Sequence, residues 1–500
     1  MTAKIKTFSF IGIEVSQVNV QVKISPGLPS MTIVGLPDKA INEAKERVRL
    51  AITSLGIPWP QKRITVNMAP ADLQKEGSHY DLAIALAILI EMEILEQGGL
   101  EKFYALGELS LDGEVSSVNG IISAAIGANQ HDCGIICPQK NGSEARWASE
   151  DLKIIAAPCL LSLINHLKGE VTLPSPQIKQ INLGITYPDI SEIKGQENAK
   201  RALEITAAGG HNLLMSGPPG TGKSMLASRL GGILPDPRLE EILEINMIHS
   251  ISGRLKDGNL ITTRPYRDPH HSCSMPAMVG GGAKVKPGEI SLACNGVLFL
   301  DELPEFPRQV LDSLRQPIET AQVSISRANS HITYPANFQL IAAMNPCRCG
   351  YLGNKEKECK KAPFCGEDYK NKISGPMLDR IDIVIEVPQV NVFSFEGEES
   401  ESSSQVKERV LAARKIQQIR YQNEPIPKQN NAKIDSKTFQ DHMNLDKESE
   451  EILTKSIEKG RFSMRGITRI MRVARTIADL EECEKIKKPH ILEAISYRRL

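Results

Sequence analysis

The stretch "NLLMSGPPGTGKSMLASRL", Asn212 to Leu230, decides the fold of the block around it. "NLLMS" reads as a short apolar strand and "MLASRL" as the start of a helix. Between them lies "GPPGTGKS", made of Gly217, Pro218, Pro219, Gly220, Thr221, Gly222, Lys223 and Ser224. A glycine loop in that strand–loop–helix setting is a phosphate cradle. The glycines let successive backbone N–H groups converge on phosphate oxygens, and the helix N-terminus adds its positive end. Lys223 would neutralise the β and γ phosphates, and the Ser224 hydroxyl would bind Mg²⁺. The expected ligand is a nucleoside triphosphate with its magnesium ion.

Downstream, "GVLFLDEL" ends a buried apolar strand in two acids, and Asp301 lies 77 residues beyond Ser224. Asp301 is expected on the Mg²⁺ shell, leaving Glu302 to polarise the attacking water. The strand "FQLIAAMN" follows and ends in Asn345, which would orient that water or sense the γ-phosphate. Two arginines stand near further elements: Arg380 before the apolar strand of "SGPMLDRIDIVIEV", and Arg465 at the start of a helix in "RFSMRGITRI". An arginine from a neighbouring subunit can stabilise the charge that builds up in hydrolysis, worth about 10³–10⁵ in rate. Spacing alone leaves an ordinary ion pair open for each.

Composition narrows the class. Five hundred residues suggest roughly two to four domains. The 60 basic and 60 acidic side chains cancel, so no bulk field favours nucleic acid or a membrane, although a local basic channel survives a neutral total. The N-terminus lacks a signal-peptide layout, and the apolar run "LAIALAILI" at 82–90 is too short to span a bilayer. A cytoplasmic protein without a membrane partner is expected.

Residues 1–167 alternate strands with helices, including an amphipathic helix in "DKAINEAKERVRLAITSLG" and a hairpin turning at Asp112-Gly113. Residues 168–190 carry prolines and no helical period, so they read as a linker. A second α/β block runs over 191–390. An acidic, serine-rich loop covers 391–405, and 406–500 is helical. Within the second block, "TAQVSISRANSHITYPANFQL" (320–340) reads as a β-hairpin with Arg327, Ala328, Asn329 and Ser330 at its turn. "VGGGAKVKPGEI" precedes the Asp301 strand, with three glycines for mobility and Lys284 and Lys286 for charge.

Taken together, "GPPGTGKS", "RPYRDPHHS", "VGGGAKVKPGEISLACNGVLFLDELPEF", "QPIET", "AAMNPC", "ISGPMLDRIDI" and "RVARTIADL" resemble the ComM (YifB) group of magnesium-chelatase-like AAA+ ATPases. The resemblance covers nearly the whole chain. It implies an α/β fold: a Lon-protease-like N-terminal domain, a P-loop AAA+ core and a helical lid. It further implies a ring, a hexamer, that hydrolyses ATP and moves along DNA, extending recombination by branch migration during natural transformation. On that likeness Arg380 is the trans-acting arginine finger and Arg465 the sensor arginine of the lid. The hairpin projects into the ring's pore, where Arg327, Lys284 and Lys286 meet DNA phosphates irrespective of sequence. The adjacent His270 and His271 are assigned structural or pore-lining roles rather than metal binding.

The N-terminal "PADLQKEGSHYDLAIALAIL" and "GELSLDGEVSSVNGIISAA" look like the protease domain of Lon. His79 stands where that family's serine nucleophile belongs, with Ser78 one position early, and Ile122 replaces the lysine base. A degenerate protease fold follows, since a serine without its base is not activated. Cys347, Cys349, Cys359 and Cys365 form a C-x-C-x9-C-x5-C array suited to tetrahedral Zn²⁺. Two other readings compete with the DNA motor: a chelatase-type motor remodelling a partner protein, and an ATP-dependent protease.

Overall fold

The computed structural model describes the chain except residues 1, 37, 74, 179–186, 256–258, 283–284, 328–329, 353–361, 363, 390–399, 425–428, 459–462 and 499–500, and the side chains of 327, 330 and 455–458. It divides into two compact units, Met1–Leu183 with Ile242–Thr262, and Gly184–Glu241 with Thr263–Leu500.

The first unit is built on a seven-stranded mixed sheet. Its spatial order is Ser30–Val34, Arg63–Ala69, Glu14–Ser25, Ala3–Ile11, Phe103–Ala105, Gly134–Pro138 and Ile154–Ala157. The helix Lys39–Ser54 starts where the Asp38 side chain accepts the Ile41 N–H, and it buries Ile41, Ala44, Val48, Ala51 and Ile52 on one face. Helix Asp81–Glu91 is buried from Asp81 to Leu89, which explains its unbroken apolar run. Its one buried charge, Asp81, is held by Arg47 at 2.6 Å. The segment Ile242–Thr262, which the sequence reading counts in the second block, clusters with this unit. There the Ser250 hydroxyl accepts the Gly120 N–H at 2.8 Å and donates to Glu144 at 2.5 Å.

The second unit holds a five-stranded parallel sheet, ordered Tyr266–Arg267, Val297–Leu300, Gln339–Met344, Leu213–Ser216 and Ile383–Glu386. The three central strands are buried on both faces, as parallel sheets require. Because all five run the same way, their C-terminal ends share one edge, and the loops leaving that edge converge. C-terminal helices pack onto the sheet: Val406, Val410, Ala413, Ile470, Val473 and Ile477 join one core with Leu213, Phe299 and Ile341. The first of these helices begins at Ser403, three residues before the expected start. Ser402 and Gln405 form a reciprocal capping box that outweighs the acidic, serine-rich composition.

The expected hairpin is present as Gln322–Arg327 paired with Ser330–Pro335. Arg327 and Ser330, expected at the turn, are instead the last ladder pair and belong to the strands. Val323 and Tyr334 face each other across the ladder and are buried. The "VGGG" insert is a short ribbon, Gly280–Gly281 paired with Lys286–Pro287. Its glycines answer to backbone geometry: Gly280 has φ 110°, and a Cβ there would lie 2.6 Å from the Lys286 carbonyl and 2.8 Å from Ile325 Cδ1. Ribbon and hairpin therefore touch, and the Tyr334 hydroxyl donates to the Val285 carbonyl at 3.0 Å. Among the described residues, no helix is long and apolar enough to cross a membrane.

Candidate nucleotide site

The glycine loop leaves strand Leu213–Ser216 and enters helix Lys223–Ile233. Gly217 is required by close approach, because a Cβ would sit 2.2 Å from the Val387 carbonyl. Gly220 and Gly222 take φ 80° and 84°, left-handed turns that glycine adopts without strain. The Thr221 hydroxyl donates to the Pro218 carbonyl at 3.0 Å and ties the loop across itself.

Lys223 Nζ donates to the carbonyls of Gly217 and Pro218 at 2.8 and 2.9 Å and to Asn345 Oδ1 at 3.3 Å. The bond to Asn345 joins the loop to the end of strand Gln339–Met344. Burial pulls the Lys223 pKa down, partly offset by the charges of Asp301 and Glu302. An ammonium in that setting gains from an incoming anion. The Ser224 hydroxyl donates to Asp301 Oδ2 at 2.8 Å, so the two groups assigned to magnesium are already neighbours. This pairing of a helix-start hydroxyl with a strand-end carboxylate fits a hard divalent cation that takes one or two protein oxygens plus phosphate.

Glu302 follows in the left-handed conformation, φ 50°, held by its own N–H donating to Asp301 Oδ1 at 2.9 Å. A non-glycine residue fixed there is locally strained, and such strain gathers at functional positions. Two neighbours are not legible as site residues in the sequence. Asp268 follows the edge strand Tyr266–Arg267, and its pKa is raised by burial and by the Asp301 charge. His271 Nδ1 lies 3.6 Å from Glu302 Oε2, and its ring stands near His270 and Phe306. Both belong to "RDPHHS"; a two-residue strand is too short to recognise from sequence, so its place beside the Asp301 strand is hidden there.

Arg380 is almost buried. Its Nε donates to the Arg315 carbonyl at 2.9 Å, Nη1 to the Pro376 carbonyl at 2.6 Å, and Nη2 pairs with Glu319 at 2.6 Å. It precedes strand Ile383–Glu386, and its carbonyl accepts from Asn212, which itself precedes strand Leu213–Ser216. Arg380 thus stands at the N-terminal edge of the sheet, opposite its own glycine loop. Arg465 is exposed in the first turn of helix Met464–Leu480. One turn on, Arg469 pairs with Asp382 beside Arg380.

Of the expected DNA-contacting residues, Lys286 is exposed in the ribbon, while Lys284 and the Arg327 side chain lie outside the described residues. In the N-terminal unit, Ser78 donates to the Glu108 carboxylate, and Ile122 is fully buried. His79 is buried with its pKa pushed down to about 4 by burial, and its Nε2 bonds the Phe8 carbonyl at 2.9 Å. Cys347 is buried with its Sγ 3.2 Å from Cys349, Cys365 is half-buried, and Cys359 lies outside the described residues. Burial raises the Cys347 pKa, but the Cys349 thiol and the N–H groups of Leu352, Gly350 and Tyr351 outweigh it and lower the net value.

Glu481, Cys483 and His490 also lie within 4.8 Å of one another. His490 Nδ1 accepts the Lys487 N–H at 3.0 Å, so its Nε2 carries the proton and donates to Glu481 at 3.0 Å. A metal at Nε2 would have to displace that proton, and the cluster acts as a helix cap.

Comparison with known proteins places the chain in a family. The family model "Magnesium chelatase, subunit ChlI" matches residues 189–394. The models "Subunit ChlI of Mg-chelatase" and "Magnesium chelatase, subunit ChlI C-terminal" match 20–141 and 400–498. "Uncharacterized protein YifB" of Salmonella typhimurium is 44% identical over 500 residues, covering 100% of this chain and 97% of the relative. "Competence protein ComM" of Haemophilus influenzae is 44% identical over 498 residues, 98% of this chain and 96% of the relative. "DNA replication licensing factor mcm7" of Schizosaccharomyces pombe is 26% identical over 207 residues, 39% of this chain and 23% of that protein. On full-length identity at this level, the chain belongs to the ComM/YifB family of magnesium-chelatase-like AAA+ ATPases.

Proposed function

We propose that this protein is the subunit of an ATP-hydrolysing ring, a hexamer, that moves along DNA and drives branch migration during natural transformation in the cytoplasm. The observation that carries the reading is the contact between the Gly280–Pro287 ribbon and the Gln322–Pro335 hairpin, both built on loops of the nucleotide sheet. One inserts before the Asp301 strand and the other before the Asn345 strand, so a change at the γ-phosphate has a short path to both. Lys286, Lys284 and Arg327 would meet phosphates, a grip that ignores base sequence and weakens with salt. The relatives' names, a competence protein and a replication licensing factor, support a DNA substrate.

In hydrolysis, Lys223 and the loop N–H groups hold the β and γ phosphates. Ser224 and Asp301 would hold a magnesium ion, which would supply positive charge against the phosphates. Glu302 takes a proton from the attacking water, and Asn345 orients it. Arg380 completes the site of the next subunit, and Arg465 reads the nucleotide from the lid. A zinc ion on Cys347, Cys349, Cys359 and Cys365 would brace the loop after Asn345. The chelatase name of the family models favours a second reading, a motor that remodels a partner protein. ATPase activity of the purified protein with and without DNA separates the two. DNA alone stimulates a DNA motor, whereas a partner-remodelling motor stays at its basal rate.

A further inference from the structure

A cavity of about 100 Å³ opens at the edge of the parallel sheet opposite the nucleotide loop. Its floor is the start of the sheet strands, around Gly296 and Gln339, and its walls are Arg238, Arg264, Arg414 and Lys433. Strand Gln339–Met344 separates this floor from Asn345 by about 20 Å at the usual rise per residue. The two sites are therefore distinct.

Four cations face this space, and among the described lining residues only two carboxylates do. Asp236 is exposed and paired with Lys407 at 2.8 Å. Glu241 is engaged by Arg264 at 3.2 Å and by Arg238 at 3.7 Å. No described carboxylate is in ion-pair reach of the other two cations. Arg414 donates from Nε and Nη2 to the single carbonyl of Ala207, at 3.1 and 2.8 Å. Lys433 donates to Asn337 Oδ1 and to the Phe338 carbonyl, the latter at 3.1 Å. The space is kept open by sequence: Gly210 has φ 73°, and a Cβ there would lie 3.0 Å from Asn430 Nδ2 and 3.3 Å from Arg414 Nη2.

Four cations gathered in a half-buried space, with Glu241 shared between two of them, repel one another. Burial pushes Arg414 down to about 9 and Lys433 down to about 8, with the neighbouring Arg264 adding to both and Glu241 partly opposing it. A bound oxyanion removes that penalty, and planar guanidinium groups suit a tetrahedral phosphoryl group.

We propose that this cavity is a second anion site, which takes a small phosphoryl ligand between the sheet edge, through Arg264 and Arg238, and the C-terminal helical part, through Arg414 and Lys433. The phosphoryl group comes either from free phosphate or pyrophosphate, or from the tail of a nucleotide. Bound there, it braces the helical part against the sheet that carries Arg380 and the nucleotide loop.

The test is isothermal titration of Lys223→Ala protein, which weakens the main site, with inorganic phosphate, pyrophosphate and ADP in separate arms. Saturable binding of at least one of them is expected, weakened roughly tenfold or more by Arg414→Gln, as for loss of a hydrogen bond to a charged group. Preference for ADP assigns the site to a nucleotide tail; preference for the inorganic ions assigns it to the free species. Arg238→Gln, whose side chain is partly exposed, replaces Arg414→Gln if circular dichroism shows that variant unfolded, and the same loss is expected. Absence of binding in all three arms, or binding that neither substitution weakens, overturns the proposal. So does an Arg414-dependent response to an oligonucleotide alone, which would make the pocket a nucleic-acid contact.

Discussion

Arg380 presents a choice between a structural ion pair and a catalytic arginine, and magnitudes separate them. Its pair with Glu319 is short, 2.6 Å, but the Glu319 side chain is 52% exposed. Such a solvent-screened pair is worth about 0.2–1 kcal/mol, which is at most about fivefold in any rate or equilibrium it touches. An arginine that stabilises a neighbour's γ-phosphate is worth about 10³–10⁵. Glu319→Gln breaks the pair while leaving the guanidinium and its bonds to the Arg315 and Pro376 carbonyls. To reach a neighbour, Arg380 must leave these partners, so loosening them with Glu319→Gln should hold or raise steady-state ATPase, by no more than about fivefold. Arg380→Ala should lower it by about 10³ or more. Mixing Arg380→Ala with Lys223→Ala subunits should then restore activity, because some interfaces in a mixed ring keep both groups. The assay is phosphate release at saturating ATP, with ring assembly followed by sedimentation. If Arg380→Ala kept its rate within fivefold while assembly was intact, the trans role would be refuted.

Three further outcomes are expected. Glu302→Gln should bind ATP and assemble but turn over very slowly, because the Ser224–Asp301 pair that fits magnesium is untouched; normal turnover would exclude Glu302 as the base. Asp382 is buried, and although burial favours its neutral form, Arg469, His211 and the Asn212 N–H hold its pKa far below the usual carboxylate range. A depressed pKa contributes stability that is present above the unfolded value, about 3.9, and is lost as pH falls toward the folded one. Asp382→Asn should therefore cost about 1–3 kcal/mol near neutral pH, because the partly exposed Arg469 keeps only the Arg380 carbonyl, and should flatten the acid dependence; hydrogen exchange in strand Ile383–Glu386 reads both. Lys286→Ala and Arg327→Ala should leave basal ATPase intact while flattening the dependence of log affinity on log salt, by about one unit for each DNA phosphate no longer neutralised. An unchanged slope with normal DNA stimulation would remove them from the DNA path.

The parts legible in the sequence are those fixed by neighbours in the chain. The glycine loop, the apolar strand ending at Asp301 and the helix capped by Asp38 each carry their cause within about twenty residues. The parts that stay hidden depend on distant partners or very short elements. Nothing local tells that Ile242–Thr262 joins the N-terminal unit, since Ser250 finds Glu144 and Gly120 more than a hundred residues away. The edge strand that brings Asp268 and His271 to the site is two residues long. The Ser402–Gln405 capping box is readable, but the surrounding acidic composition suggests a loop. The anion pocket is invisible because Arg238, Arg264, Arg414 and Lys433 come from four separate stretches.

On the proposed function, ATP hydrolysis at this site moves DNA strands. That is tested most directly by incubating the purified wild-type protein and Glu302→Gln with forked and four-way DNA, with ATP and magnesium, and following strand displacement on a native gel. Displacement by the wild type should require ATP, be lost in Glu302→Gln, and weaken steeply as salt rises. A wild-type protein that hydrolyses ATP at an undiminished rate yet leaves both substrates intact at low salt would contradict the proposed function.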